Sequence, residues 1–371
     1  MKANSNYLKG LMNLNKDSKK LLSEFDAYTS PHAKMAEALK ELKEEVMADE
    51  NINILLVVGP SGVGKSKLAE IFIEEILDSM EEEMIKDTSF IPITGIELPN
   101  PDLGNFNWKD FYYRVLLSLN EPLVDRKTNV NRGVRNNDRY VNEGRKSTVG
   151  DLRRSLERAI YHRRTRAIII DEAQHFFRLK TGKAVAEQFN SIKSLANMSG
   201  AKIILFGTYD LISIMNLDGQ LSRRVEEIHF PRYDLNNEKD VEDFINILYT
   251  FQRKLPVEKP PDLLSERKYI YEKSLGCVGI LKTWLQKSLR ETIKNGEETI
   301  TLESLRKTSM NHTKLLTLFK EIVVGEEIFK ESKSDAIELK KMLGVENLED
   351  KPNKRKGNNN PGKRKPNRDE V

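Results

Sequence analysis

Residues 57–66 read VVGPSGVGKS. Gly59, Pro60, Ser61, Gly62, Val63, Gly64, Lys65 and Ser66 fit G-x-x-x-x-G-K-[ST] at every fixed position. The glycines let backbone N–H groups turn inward and ring a phosphate chain, and a following helix would aim its positive end at it. Lys65 would reach the β- and γ-phosphates, and Ser66 would offer a hydroxyl to Mg²⁺. This is the chemistry of binding ATP with Mg²⁺. A metal-holding acid should then end a neighbouring strand, and AIIIDEAQ (167–174) supplies it. Asp171 would hold Mg²⁺ through water, and Glu172 would polarise a water for attack on the γ-phosphate. The pair points to hydrolysis rather than phosphoryl transfer to a second substrate.

Four further residues could join the site. Thr208 ends the apolar run KIILFGT, where its hydroxyl could meet the γ-phosphate or the attacking water, or cap the helix that follows. Arg223 and Arg224 precede the last strand; if protomers stack, one of them would stabilise transition-state charge in a neighbour. Surface pairing with nearby acids is the alternative for both. Lys282, in GCVGILKTW, lies near the start of a helix that could fold over the nucleotide, or it is a solvated helix lysine.

The elements that must hold these residues are legible. INILLVV (52–58) is a nearly continuous apolar run, as in a parallel strand buried on both faces. Helices are expected after Ser30-Pro31, read as an N-cap and first helical position, and over 66–80, 106–119, 151–164, 183–199 and 209–215. The helix after Pro31 places Met35, Ala38, Leu39, Leu42 and Val46 on one face. Further strands are expected at 90–98, 167–171, 202–208 and 225–230. Strands alternating with helices make an α/β fold with a central parallel five-stranded sheet. From Asn236 the pattern is all-helical, with stripes at Val241, Phe244, Ile245, Leu248, Phe251 and at Leu281, Trp284, Leu285, Ser288, Leu289, Thr292. The expected division is a polar, weakly helical leader (1–30), a nucleotide-binding domain (31–235) with a polar insertion near 120–150, a helical lid (236–320), a helical extension (321–350) and a disordered basic tail (351–371).

Net charge is +4, but residues 126–166 carry 13 Lys and Arg against 4 Asp and Glu, and residues 351–371 carry 8 against 2. A mildly acidic body with two basic patches suggests a polyanionic partner. A single cysteine, Cys277, excludes an intramolecular disulfide and fits a reducing, intracellular setting. No apolar signal sequence opens the chain, and no run is long and apolar enough to span a membrane.

Taken together, GPSGVGKS, IIIDEAQH, the FGT strand end, the arginine pair and the helical lid resemble a P-loop AAA+ ATPase. YTSPHAKMAEALKEL upstream of the loop, DEAQHF and SRRVEEIHFP narrow the resemblance to the TnsC/TniB transposition regulators, relatives of MuB and the IstB-like helper ATPases. The resemblance covers roughly residues 25–300. It implies a slow, regulatory ATPase of the bacterial cytoplasm, associated with the nucleoid. Such proteins assemble with ATP as rings or helical filaments on double-stranded DNA of any sequence. They link a target selector of the TniQ/TnsD type to a transposase. It further implies that the region after the second strand lines the DNA path, here the helix at 106–119 and the basic insertion. By charge and location, Lys127, Arg132, Arg135, Arg139, Arg145 and Lys146 are the candidates. The chain departs from the AAA+ pattern at Thr208, where asparagine is commoner, and at Lys282, where arginine is usual. Either change could slow hydrolysis. The tail could bind DNA, contact a transposase or solubilise the chain. A helicase loader or replication initiator, or a signalling ATPase without nucleic acid, remain the rival readings. Salt-dependent binding to random duplex separates the last from the others.

Overall fold

Ile54–Val58 (β1) is buried at every position because it has strands on both sides and helices on both faces. The computed structural model describes residues 16–48, 52–101, 106–126, 147–177, 183–215, 225–330 and 333–344. Within them β1, β2 (Ile93–Glu97), β3 (Ala167–Asp171), β4 (Lys202–Gly207) and β5 (Val225–His229) form one parallel sheet. The order is β2-β3-β4-β1-β5, so β4 is central, β1 lies inside the sheet between β4 and β5, and the chain crosses over between strands. Pro92 stands just before β2, where its missing N–H costs no ladder bond.

The helices around the sheet follow from their apolar stripes. Lys16–Ala27 (α1) and Ala33–Met47 (α2) precede β1, and Lys65–Ser79 (α3) and Glu81–Lys86 (α4) follow it. Met35, Ala38 and Leu42 of α2 pack with Leu68, Phe72 and Ile76 of α3 over Leu55 and Val57. The N-cap of α2 is His32 rather than Ser30. The His32 backbone is extended, and its Nδ1 accepts from Met35 N at 3.4 Å. Trp108–Ser118 (α5), capped by Asn107, and Val149–Arg163 (α6), opened by a Thr148–Asp151 capping box, cover the β2–β3 side. Lys183–Ser199 (α7) precedes β4, and Asp210–Met215 (α8) follows it.

Beyond β5 come Glu238–Lys254 (α9), Arg267–Ser274 (α10), Val278–Asn295 (α11), Leu302–Thr308 (α12) and His312–Ile328 (α13). Their core is Phe244, Ile247, Leu248, Phe251, Leu281, Trp284, Leu285 and Leu289. The α11 stripe is buried as expected, whereas on α9 Ile247, not Ile245, turns inward. The leader is less polar in effect than its composition suggests. Phe25 of α1 lies in this helical core, with Leu22 and Tyr28 beside it. The chain divides into two units, 1–326 and 327–371; in the second, Lys333–Leu343 (α14) is helical. Among the described residues no helix is long and apolar enough to cross a membrane.

Two histidines are held neutral. His32 takes a bond at Nδ1 from Tyr233 Oη at 3.0 Å, and His229 Nε2 lies 2.9 Å from Tyr209 Oη. Burial, then the Lys34 charge, pushes each imidazole down to about 4. The unfolded chain therefore binds these protons first, so stability falls as pH drops below about 6.5 and levels off below about 4. The loss should be on the order of a few kcal/mol for the pair. Urea midpoints at pH 7 and pH 5 check this: a His32→Gln variant should lose less than the wild type over that interval.

Candidate nucleotide site

β1 ends at Val58, and the chain turns at once into the glycine loop. A Cβ on Gly59 would stand 2.1 Å from the Phe230 carbonyl oxygen, so only glycine lets the loop start against the β5 end. Gly62 and Gly64 have φ of +79° and +118°, which side chains resist. Ser61, Gly62 and Ser66 are exposed, while Val63 and Lys65 are buried beneath them. α3 begins at Lys65 and directs its first amides to the same place.

Lys65 is 8% exposed. Its Nζ donates to the carbonyls of Gly59 and Pro60, both at 2.9 Å, which fixes the charge at the rim of the loop. Burial pushes this ammonium down to about 8, against the pull of Glu172 and Asp171.

The sheet register brings the other residues to the same edge. Val58 pairs with Gly207, Ile170 with Leu205 and Glu97 with Asp171. Gly59, Asp171, Glu172 and Thr208 thus leave the sheet together at its C-terminal edge, where ligands gather in open α/β sheets. Glu172 has φ +55°, a conformation that costs a non-glycine residue about 1 kcal/mol or more. The bend is held by Glu172 N donating to Asp171 Oδ1 at 2.8 Å and His175 N to Glu172 O at 3.0 Å. Gln174 Nε2 donates to Glu172 Oε2 at 2.5 Å, and Thr208 N donates to Gln174 Oε1 at 3.4 Å.

The helical region after β5 packs on the loop directly. Ile280 N, in the first turn of α11, donates to Gly62 O at 3.0 Å. A Cβ on Gly279 would meet that same oxygen at 2.5 Å. The crossing from sheet to lid is pinned by Tyr233 N donating to Gly276 O at 3.0 Å.

Residues 48–215 match the family model described as an AAA domain. No curated protein matches the chain by sequence. Among solved structures the chain is similar to the Aeropyrum pernix ORC1 protein in complex with DNA. The identity is 16% over 75% of this chain and 65% of that one, with a TM-score of 0.51. It thus spans just under two thirds of that protein. It is also similar to Aeropyrum pernix ORC2 (13% identity, 78% of this chain and 72% of that one, TM-score 0.49) and to Pyrobaculum aerophilum Cdc6p (16%, 77% and 69%, 0.47). The fold is AAA+.

Within this AAA+ core the sequence-expected residues divide into three groups. Gly59–Ser66, Asp171, Glu172 and Thr208 come together as described. Lys282 does not join them: its Nζ donates to Asp26 O at 2.6 Å, and Gln286 Nε2 bonds Asp26 Oδ1. The cause is α1, which inserts Phe25 into the lid core and so brings its C-terminal end against α11. Arg223 and Arg224 lie outside the described residues, as do Lys127, Arg132, Arg135, Arg139, Arg145, Lys146 and the 351–371 tail. The donor set fits Mg²⁺: an exposed Ser66 hydroxyl and the Asp171 carboxylate are the one or two protein oxygens that ion takes when phosphates and waters supply the rest.

Two features escaped the motif reading. One is Gln174, visible in DEAQ but not assigned a role. The other is α13. Leu318 and Glu321 of α13 face Pro60, Ser61, Thr208 and Asp210 across a cavity of about 200 Å³. Gly325 lies so close to Tyr209 that a Cβ would stand 2.0 Å from the ring. Glu326 meets Arg232 through both oxygens, each at 3.1 Å. A glycine inside an apolar helical run, as in IVVGEEI, was the available signal of close approach.

Proposed function

We propose that this chain binds ATP with Mg²⁺, hydrolyses it slowly, and uses the cycle to assemble on double-stranded DNA and leave it. One observation carries the reading: the lid amide of Ile280 bonds Gly62 of the phosphate loop, beside a strand edge that gathers Asp171, Glu172 and Thr208. A water placed by Glu172 attacks the γ-phosphorus, and its proton passes to the Glu172 carboxylate. The bond to the β-bridging oxygen breaks, and ADP and phosphate leave. Ser66 and Asp171 would hold Mg²⁺, which neutralises charge on the phosphate oxygens when bound. Lys65 supplies the fixed protein charge, and one of Arg223 and Arg224 the charge contributed to a neighbouring protomer.

In its finer form the reading is a TnsC-like transposition regulator of the bacterial cytoplasm. A ring or filament on target DNA links a TniQ/TnsD-type selector to the transposase, and hydrolysis resets it. The motifs that support this form are YTSPHAKMAEALKEL, DEAQHF and SRRVEEIHFP. A replication-initiator role is the second reading, favoured by the likeness to ORC1, which was solved in complex with DNA. Recruitment of a transposase separates the two.

The DNA half is tested by binding to random duplex across salt. The basic insertion should give a steep negative slope of log affinity against log salt. Replacing Arg132, Arg135 and Arg139 together by alanine should flatten that slope by about 3 while nucleotide affinity stays unchanged. A wild-type slope in the triple variant would move the DNA site elsewhere, and no binding by the wild type would favour a protein-only signalling role.

A further inference from the structure

We infer that Gln174 is a positioning residue that ties the Glu172 carboxylate to the end of β4. The inference rests on the ATP-hydrolysing reading above and adds to it a residue with no direct contact to the reacting atoms.

The two ends of one amide are used at once. The Nε2 side donates to Glu172 Oε2 at 2.5 Å, and the Oε1 side accepts from Thr208 N at 3.4 Å. The chemistry fixes the orientation: reversing the amide would set its oxygen against a carboxylate and its NH₂ against an N–H. Only a side chain with both a donor and an acceptor can make this bridge. Glutamate loses the donor, and leucine or methionine loses both.

The surroundings are built to hold the bridge. Gln174 sits in a short 3₁₀ turn, Ala173–Phe176, whose far end is anchored by Phe176. That ring is fully buried among Phe106, Trp108 and Phe111, with centroids 4.5, 5.7 and 5.2 Å away. On the other side, Gly207 makes room: a Cβ there would stand 2.6 Å from Gln174 Oε1. Glu172 itself needs a tether because its side chain is 39% exposed and its backbone is in the left-handed region. A half-exposed carboxylate samples several rotamers, and a displacement of about 1 Å from the attacking water can cost about 10²-fold in rate. The bridge confines Glu172 to the side facing Thr208.

The test uses full-length protein with Gln174→Met and Gln174→Glu. Both should keep the affinity for a fluorescent ATP analogue within about twofold and lower kcat by about tenfold to 10²-fold with little change in KM. A structural role alone would not give that split. Gly207→Ala, whose Cβ would press on the amide oxygen and equally on Leu211 Cδ1, each at 2.6 Å, should lower kcat likewise. In a Glu172→Gln background, Gln174→Met should lower the residual single-turnover rate by less than about twofold, because the two residues act as one unit. Wild-type kcat in Gln174→Met would overturn the inference alone, as would a full additional loss in the Glu172→Gln background. A wild-type protein that binds nucleotide and never hydrolyses it would overturn the ATPase reading and this inference with it. Urea midpoints of each variant identify one that has simply lost its fold; the near-isosteric Gln174→Glu, which removes only the donor, then decides.

Discussion

Glu172→Gln should bind ATP as tightly as the wild type and hydrolyse it at least about 10²-fold more slowly. Glutamine matches glutamate in size, so the left-handed backbone at φ +55° is no worse served. The Gln174 amide can still donate to the oxygen that remains. What is lost is the base: a neutral amide cannot take the proton from the attacking water. The phosphate loop, Lys65 and the lid contact at Gly62 are untouched, so binding persists. If hydrolysis is the reset, complexes with DNA should outlast those of the wild type. Phosphate release with saturating ATP, paired with analogue affinity, reads both quantities. Turnover at the wild-type rate would remove Glu172 from the mechanism.

Lys65→Ala should weaken ATP binding by about 10²-fold or more and abolish ATP-dependent assembly on DNA. A charge-assisted bond to phosphate is worth about 1.5–3 kcal/mol, and Lys65 would serve two phosphates at once. The fold should survive. Lys65 is the first residue of α3, alanine is a good helix former there, and the Gly59 and Pro60 carbonyls lose one partner. Circular dichroism establishes that survival independently. Unchanged assembly in this variant would sink the nucleotide switch.

The parts of the site that were legible are local in sequence. The loop is eight consecutive residues between a buried strand and a helix, and each strand-end residue follows its own apolar run. Parallel pairing then places them at one edge without further information. What was not legible depends on contacts between distant segments. Gly62 and Ile280 are 218 residues apart, and nothing in GCVGILKTW marks Ile280 N as the group that reaches the loop. Lys282, near the start of a helix, reads either as a residue folded over the nucleotide or as a solvated helix lysine. The structure gives it instead to Asp26, a consequence of α1 joining the lid core. Leu22, Phe25 and Tyr28, spaced by three, were the signal of that packing within an otherwise polar leader. α13 runs across the expected boundary between lid (236–320) and extension (321–350); its apolar residues surround the helix and several remain exposed, among them Leu316 and Val324, so no stripe marks it as one element.

The central claim is that ATP drives assembly on DNA. Negative-stain imaging of the wild type with random duplex tests it most directly, run without nucleotide, with ADP and with a non-hydrolysable ATP analogue. The account predicts rings or filaments only when the analogue and DNA are both present. Particles that stay small in all three conditions, or assemble equally in all three, would contradict it.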